Sequence, residues 1–429
     1  MEKKGEMGMK WLNEMHHPEK YWKIFLKWGL LGLLMGMIGG VLGAVFHHAL
    51  HFVTELRGEH GWLIFLLPVG GLLTVGLYRV FGMRNKRGTN EMIDALLNGD
   101  PVNPLVAPVI FIATSITHLF GGSAGREGAA LQLGGSVASK LGKLLRLKEE
   151  ERTVLVMSGM SAVFAGLFGT PLTATLFTME FASVGTIFTP ALLPSYLAAF
   201  TAGSVSSAMG VHAETAVIGE AVKFTATTNA QMLILAVMVG MLGIAMCYVF
   251  HKAEHLAAKL FPNAWLRIVV GAAVVTVMTL LVGDHRYNGA GMDMALGAVA
   301  GQANWYDFLL KMLFTAVTLS AGFKGGEIVP TFCIGATFGC ALGGLLGLDP
   351  GFAAALGLVG LFCCVTNSPI TAIILSIEMF GSANVYLFAF VCVISYVISG
   401  NWGLYASQSI QFSKARLVKK HLHETREHH

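Results

Sequence analysis

Two carboxylates stand where an apolar chain has little use for them. Glu127 falls in the run Gly121-Gly122-Ser123-Ala124-Gly125-Arg126-Glu127-Gly128-Ala129-Ala130, and Glu327 in Gly325-Gly326-Glu327-Ile328-Val329-Pro330. Glycine at this density interrupts a helix, and the next helix begins with free N–H groups aimed at whatever lies ahead. Such an end attracts anions. Within a bilayer, interrupted helices persist only where protein or a watery cavity surrounds them, and an acid there is a functional candidate. These residue types predict an anion path with a titratable gate at Glu127. An enzyme is not indicated: no nucleophile stands with a base, no phosphate loop of the Walker type occurs, and no cofactor is implied. His47 and His51 share one helix face, as do His251 and His255, but no Cys or carboxylate cluster accompanies them. Packing or interfacial roles are expected for them, and no metal site.

The elements that must position these residues are membrane helices. Of 429 residues, 54% are hydrophobic and 13% charged, with a mean hydropathy of +0.64, which describes a polytopic membrane protein and excludes a soluble domain. Basic residues gather in four places: Lys3 to Lys27, Arg84 to Arg87, Lys140 to Arg152 and Lys414 to Lys420. By the positive-inside rule all four, and with them both termini, are expected in the cytoplasm. The net charge of +4 then belongs to that leaflet and calls for no nucleic-acid partner. The opening residues are charged and lack a short apolar stretch with a cleavage site, so no removable signal peptide is expected. All six cysteines lie in apolar or glycine-rich stretches and read as free buried thiols.

The chain repeats itself roughly 200 residues further on. Gly36-Met37-Ile38-Gly39 before Val45-Phe46-His47 returns as Gly240-Met241-Leu242-Gly243 before Val249-Phe250-His251, and Ser123-Ala124-Gly125 returns as Ser320-Ala321-Gly322. Pro171-Leu172-Thr173-Ala174 followed by Glu180 returns, at identical internal spacing, as Pro369-Ile370-Thr371-Ala372 followed by Glu378. Two homologous halves follow, and the expected divisions are an N-terminal cytoplasmic segment 1–23, a first transmembrane repeat 24–204, a linker 205–228, a second repeat 229–412 and a cytoplasmic tail 413–429. Transporters built this way form their site where broken helices of both halves meet near the midplane. Inverted topology is the expectation. Long apolar runs such as Ile24 to Val53, Thr153 to Ala182 and Met232 to Phe250 read as full crossings, whereas Phe111 to Phe120, Leu131 to Leu144 and Phe332 to Leu346 read as half-helices. The fold class expected is all-α, without β structure.

In combination, these motifs resemble the CLC family of chloride channels and proton-coupled anion antiporters, from about Trp28 to Gln411. Gly125-Arg126-Glu127-Gly128 is similar to the family's Gly-Arg-Glu-Gly-Pro signature, with Ala129 in place of proline, and Gly325 to Pro330 is similar to the second anion-coordinating loop. Trp402-Gly403-Leu404-Tyr405 is similar to the segment carrying the central tyrosine. The resemblance implies a CLC-like fold of two inverted-topology repeats with many tilted and broken helices, a homodimer, and one pore per subunit. It implies that Glu127 is the outer gating glutamate, with Thr89, Asn90, Gly128, Ala129, Ile328, Val329 and Tyr405 around the anion. Chloride or fluoride, protons, membrane lipid and a second copy are the implied partners, in a bacterial inner membrane. The paired nucleotide-binding modules of larger members are not expected.

Departures from the family pattern point toward its bacterial fluoride/proton antiporter branch. The first filter loop reads Gly88-Thr89-Asn90-Glu91-Met92, with Asn and without the Pro of chloride-selective members; Glu327 is an acid where those carry an apolar residue; and Phe181 stands where proton-coupled chloride members keep an internal glutamate. Protonated, a carboxyl is a short, strong donor. Fluoride is small and strongly hydrated, so stripping its water calls for such a donor, and Glu327 is expected to coordinate fluoride or hold a proton. The expected function is proton-coupled fluoride export; the alternative is a chloride channel or chloride/proton antiporter, which Thr89 at the position of the chloride members' serine favours. Plainer readings stand beside these: Glu127 pairs with Arg126, Glu327 caps its own helix, Tyr405 is an interfacial aromatic, Thr89 and Asn90 close a turn, and Glu180 and Glu378 bond to loop backbone.

Overall fold

The computed structural model describes residues 18–83, 88–100, 102–218, 225–414 and 416–419. The basic residues of 3–10 and 84–87, and the histidine-rich tail from 420 onward, lie outside the described residues.

Helices come in two sets with matching order. The first comprises α1 (Pro18–Glu59), α2 (Leu67–Val80), α3 (Thr89–Asn98), α4 (Val106–Leu119), α5 (Glu127–Leu144), α6 (Glu149–Phe168), α7 (Pro171–Glu180) and α8 (Leu192–Ala208). The second comprises α9 (Ala226–Leu260), α10 (Ala264–Val282), α11 (Met292–Val299), α12 (Asp307–Ala321), α13 (Ile328–Leu346), α14 (Pro350–Thr366), α15 (Pro369–Phe380) and α16 (Val385–Ile398). Long helices fall opposite long ones: α1 and α9 run 42 and 35 residues, well beyond the ~20 that cross a bilayer upright, as tilted spans do. The short ones also correspond, α3 with α11 at 10 and 8 residues and α7 with α15 at 10 and 12.

Four expectations are corrected. The run Thr153 to Ala182 is not one crossing; it divides at Gly169, which ends α6 in the left-handed region (φ 70°) so that Pro171 can open α7, where its missing N–H costs nothing. Thr89 and Asn90 do not lie in a loop but open α3, because Gly88 (φ 64°) turns the chain just before them. The half-helix at Phe332 to Leu346 extends back to Ile328 and reaches 19 residues, apolar enough to cross a membrane, since Pro330 is tolerated in a first turn. Finally, β structure is present. Strands β1 (Ser183–Val184) and β2 (Ser409–Ile410) pair in parallel, and β3 (Phe412–Ser413) and β4 (Arg416–Lys419) pair antiparallel. Strands of two to four residues leave no periodicity to read. They form because the chain beyond α16 runs extended against α7's end, and backbone groups there need partners.

The Pro-to-Glu repeats interlock end to end. Glu378, in α15's last turn, accepts from the N–H groups of Leu172 (2.9 Å) and Thr173 (2.8 Å) in α7's first turn. Glu180, ending α7, accepts from Ile370 N–H (3.1 Å), Thr371 N–H (2.8 Å) and the Thr371 hydroxyl (2.6 Å) in α15. Each carboxylate thus satisfies donors that the other repeat's helix leaves unpaired, and sits at the positive end of its dipole. Both acids bond to backbone as expected, but to the first turns of helices and not to loops. Because Glu180 is the more buried and carries the extra hydroxyl, Glu180→Ala is expected to lower unfolding free energy by about 2 kcal/mol and Glu378→Ala by about 1 kcal/mol; equilibrium unfolding in detergent measures both.

Candidate functional site

The two glycine loops meet. Gly125 N–H donates to Gly326 O (2.7 Å) and Gly326 N–H returns the bond to Gly125 O (2.8 Å), an isolated antiparallel bridge between the halves. This bridge brings the first turns of α5 and α13 together, and it requires glycine at position 326. A Cβ there would overlap Glu127 Oε2 and lie 2.8 Å from the backbone nitrogens of both Glu127 and Gly128.

Glu127 is wholly buried as the first residue of α5. Its Oε1 accepts from Val329 N–H of α13 at 3.0 Å, while Oε2 has no protein partner among the described residues. A carboxylate from one repeat therefore occupies the N-terminus of the other repeat's helix, where the N–H groups and dipole favour an anion.

Several of the remaining predicted residues lie at this point. Gly128, Ala129, Ile328 and Val329 form the buried first turns of α5 and α13. Thr89 Oγ1 closes over Gly128, where a Cβ would come within 2.7 Å of it. Asn90 has a tying role: its Oδ1 accepts from Ser407 N–H at 3.1 Å, fastening α3 to the segment that carries Tyr405. Tyr405 is buried, packs edge-on against Phe181 (6.0 Å between ring centres), and lines a cavity of about 350 Å³ with His251, Asn367, Trp402 and Gln408. Glu327 is the N-cap residue of α13, but its side chain makes no capping hydrogen bond; its carbonyl accepts from Thr331 N–H (3.0 Å) and the Thr331 hydroxyl (2.8 Å). Its side chain is half-buried, and among the described residues its carboxyl makes no hydrogen bond.

Arg126 points elsewhere. It pairs with Glu214, stacks over Phe168 (4.9 Å) and approaches His47 Nδ1 (3.4 Å), so it does not hold Glu127. His251 Nε2 lies 3.4 Å from Leu404 O, which accounts for both inner histidines of the repeated pairs as packing neighbours. The six cysteines are buried and free.

Several contributors escaped sequence reasoning. Gln408 Nε2 donates to Phe181 O (2.6 Å) and Thr366 O (2.8 Å), anchoring the Tyr405 segment to α7 and α14. Glu214, in the stretch between the halves, reaches Arg126 across the sequence. Lys311, fully buried in α12, bonds to Ser123 of the signature loop. A lone lysine inside the apolar run Asp307 to Ala321 was the one signal that pointed to it.

A family model described as voltage gated chloride channel matches residues 70–400. The chain belongs to the CLC family. A chloride/fluoride channel protein of Pseudomonas syringae pv. tomato is 36% identical to it over 396 residues, covering 90% of this chain and 87% of that protein. A solved CLC-type fluoride/proton antiporter is 35% identical, superposes with a TM-score of 0.87, and is covered to 98% by 90% of this chain. A slow cyanobacterial Cl−/H+ antiporter, at 21% identity, superposes with a TM-score of 0.74 over 86% of this chain and 93% of its own, and shares the fold. As a CLC protein the chain is a polytopic membrane protein built almost wholly of α-helices, with a CLC-like fold of two inverted-topology repeats, and the reciprocal Glu180 and Glu378 contacts join equivalent helices of the two repeats.

Proposed function

We propose that the protein is a proton-coupled fluoride exporter of a bacterial inner membrane, working as a homodimer with both termini in the cytoplasm. The observation that carries this reading is the Glu127 carboxylate on Val329 N–H, in the space between the facing starts of α5 and α13. Ionised, Glu127 fills that space and excludes an anion; protonated, it loses its hold on the helix end and leaves the space to one. One residue thereby exchanges proton and anion. The Thr89 hydroxyl over Gly128, the free carboxyl of Glu327 and the hydroxyl of the buried, cavity-lining Tyr405 supply side-chain donors to a small, strongly hydrated anion. Phe181 packs on Tyr405 where a separate inner acid would otherwise serve, which suits coupling through Glu127 and Glu327 alone. The 36% identical relative named for chloride and fluoride, and the fluoride/proton antiporter with TM-score 0.87, support fluoride as the substrate. Each repeat, 24–204 and 229–412, contributes one loop, and exposed apolar side chains such as Leu30, Leu281 and Val393 suit contact with lipid.

The test is transport by purified protein in proteoliposomes loaded with fluoride, with fluoride and pH recorded together. Fluoride efflux with proton uptake is expected; chloride flux exceeding fluoride flux overturns the assignment in favour of a chloride carrier. Glu327→Ala separates the two further. It is expected to reduce fluoride flux by about tenfold or more, the loss of a charge-assisted or strong donor, whereas a chloride pathway through backbone N–H groups would be left largely intact.

A further inference from the structure

Lys311 is a buried charge that the exchange at Glu127 does not yet explain. Its Nζ donates to Ser123 Oγ (3.0 Å), Tyr287 O (3.1 Å) and Gly289 O (2.7 Å), three acceptors matching the three donors of an ammonium, and none of them carries a charge. Asp307, one turn earlier on α12, is engaged elsewhere: it accepts from the Tyr287 hydroxyl (2.5 Å), Asn304 N–H (2.8 Å) and Arg286 Nη2 (3.3 Å). Arg57, donating to His118 O (2.8 Å), adds a second, half-buried cation close to Gly289. An ammonium in a membrane interior without a fixed counter-ion is costly and marks an ion pathway.

Its location says which ion. A Cβ on Gly291 would lie 3.0 Å from Lys311 Nζ and 3.3 Å from Cys333 Sγ, so the ammonium sits beside α13 one turn beyond Val329, whose N–H holds Glu127. On its other side it grips Ser123, in the loop that leads to Glu127, and that hydroxyl is also bonded to Thr315 Oγ1 (3.0 Å). We propose that Lys311 is a positioning residue for the anion: its ammonium is the fixed counter-charge that the Glu127 carboxylate and the transported anion balance in turn. This rests on the exchange proposed at Glu127. Whichever of the two is present, the buried cation is neutralised.

The experiment uses the full-length protein and fluoride as the probe. In a Glu127→Gln background the Glu127 carboxylate no longer competes, and the effect of the lysine on the anion is read directly. Adding Lys311→Met is expected to weaken fluoride binding, measured by calorimetry, by about tenfold or more, while Lys311→Arg stays within about threefold. A lysine needed only for packing would instead lower yield or thermal stability and leave the dissociation constant of the folded protein unchanged. Should Lys311→Met not fold, Ser123→Ala keeps the charge but cuts its tether to the loop, and is expected to weaken binding about threefold. Fluoride binding unchanged within about twofold in Lys311→Met, or in Ser123→Ala if that variant must stand in for it, overturns the proposal. The unmodified protein's transport is the control: chloride flux without protons removes the exchange reading, and the same variants probed with chloride still judge the counter-charge by itself.

Discussion

Replacing Glu127 with glutamine is expected to stop proton movement while anion movement continues. Glutamine has nearly the same shape, and its carbonyl oxygen can still accept from Val329 N–H as Oε1 does at 3.0 Å. It carries neither the negative charge that competes with an anion nor a site for the proton. Proton uptake by fluoride-loaded proteoliposomes should fall by about a hundredfold or more, the scale on which a positioned proton-transfer group acts. Fluoride should run down its gradient uncoupled. A neutral structural partner would behave differently, because both fluxes would decline together. Proton uptake persisting above about a tenth of the original rate would remove Glu127 from the coupling role.

The second large effect comes from a methyl group. Gly326→Ala places a Cβ against Glu127 Oε2 and within 2.8 Å of the backbone nitrogens of Glu127 and Gly128. The side chain can turn away from such a contact; the nitrogens cannot, since they belong to α5's first turn. The loops must separate, which breaks the paired bonds between Gly125 and Gly326 and spoils the register of the two helix ends. Overpacking of this kind costs about 1–3 kcal/mol, and because it falls on the anion's own position the expected result is a loss of anion turnover of roughly tenfold to a hundredfold in a protein that still folds. Gly344→Ala is the control. Nothing lies within 4 Å of a Cβ there, and its flux should stay within about twofold of the original. Equal losses in the two variants would mean that the glycine loops do not set the site.

Local signals carried much of the architecture. Apolar length gave the spans, glycine density marked where α5 and α13 must begin, and the two Pro-to-Glu copies disclosed the repeat; each of these needs only neighbours along the chain. The same signals erred where an outcome depended on remote packing. Thr89 and Asn90 join a helix instead of a loop, and two-residue strands tie the Tyr405 segment to α7. Asn90 meets its partner Ser407 across 317 residues, and no spacing rule spans that distance.

What this sequence determined by itself was membrane helices in two related halves, interrupted at Gly125 and Gly326, with an acid after each interruption; composition and glycine chemistry act locally, so the letters suffice for them. Only the tertiary structure decided that the two interruptions bond to each other, that Glu127 lies on the opposite helix's N–H, that Glu180 and Glu378 exchange caps, and that Lys311 lies buried beneath the loop. The reason is physical: burial forces each buried polar group to find a partner, and which partner lies in range is set by how the two halves pack.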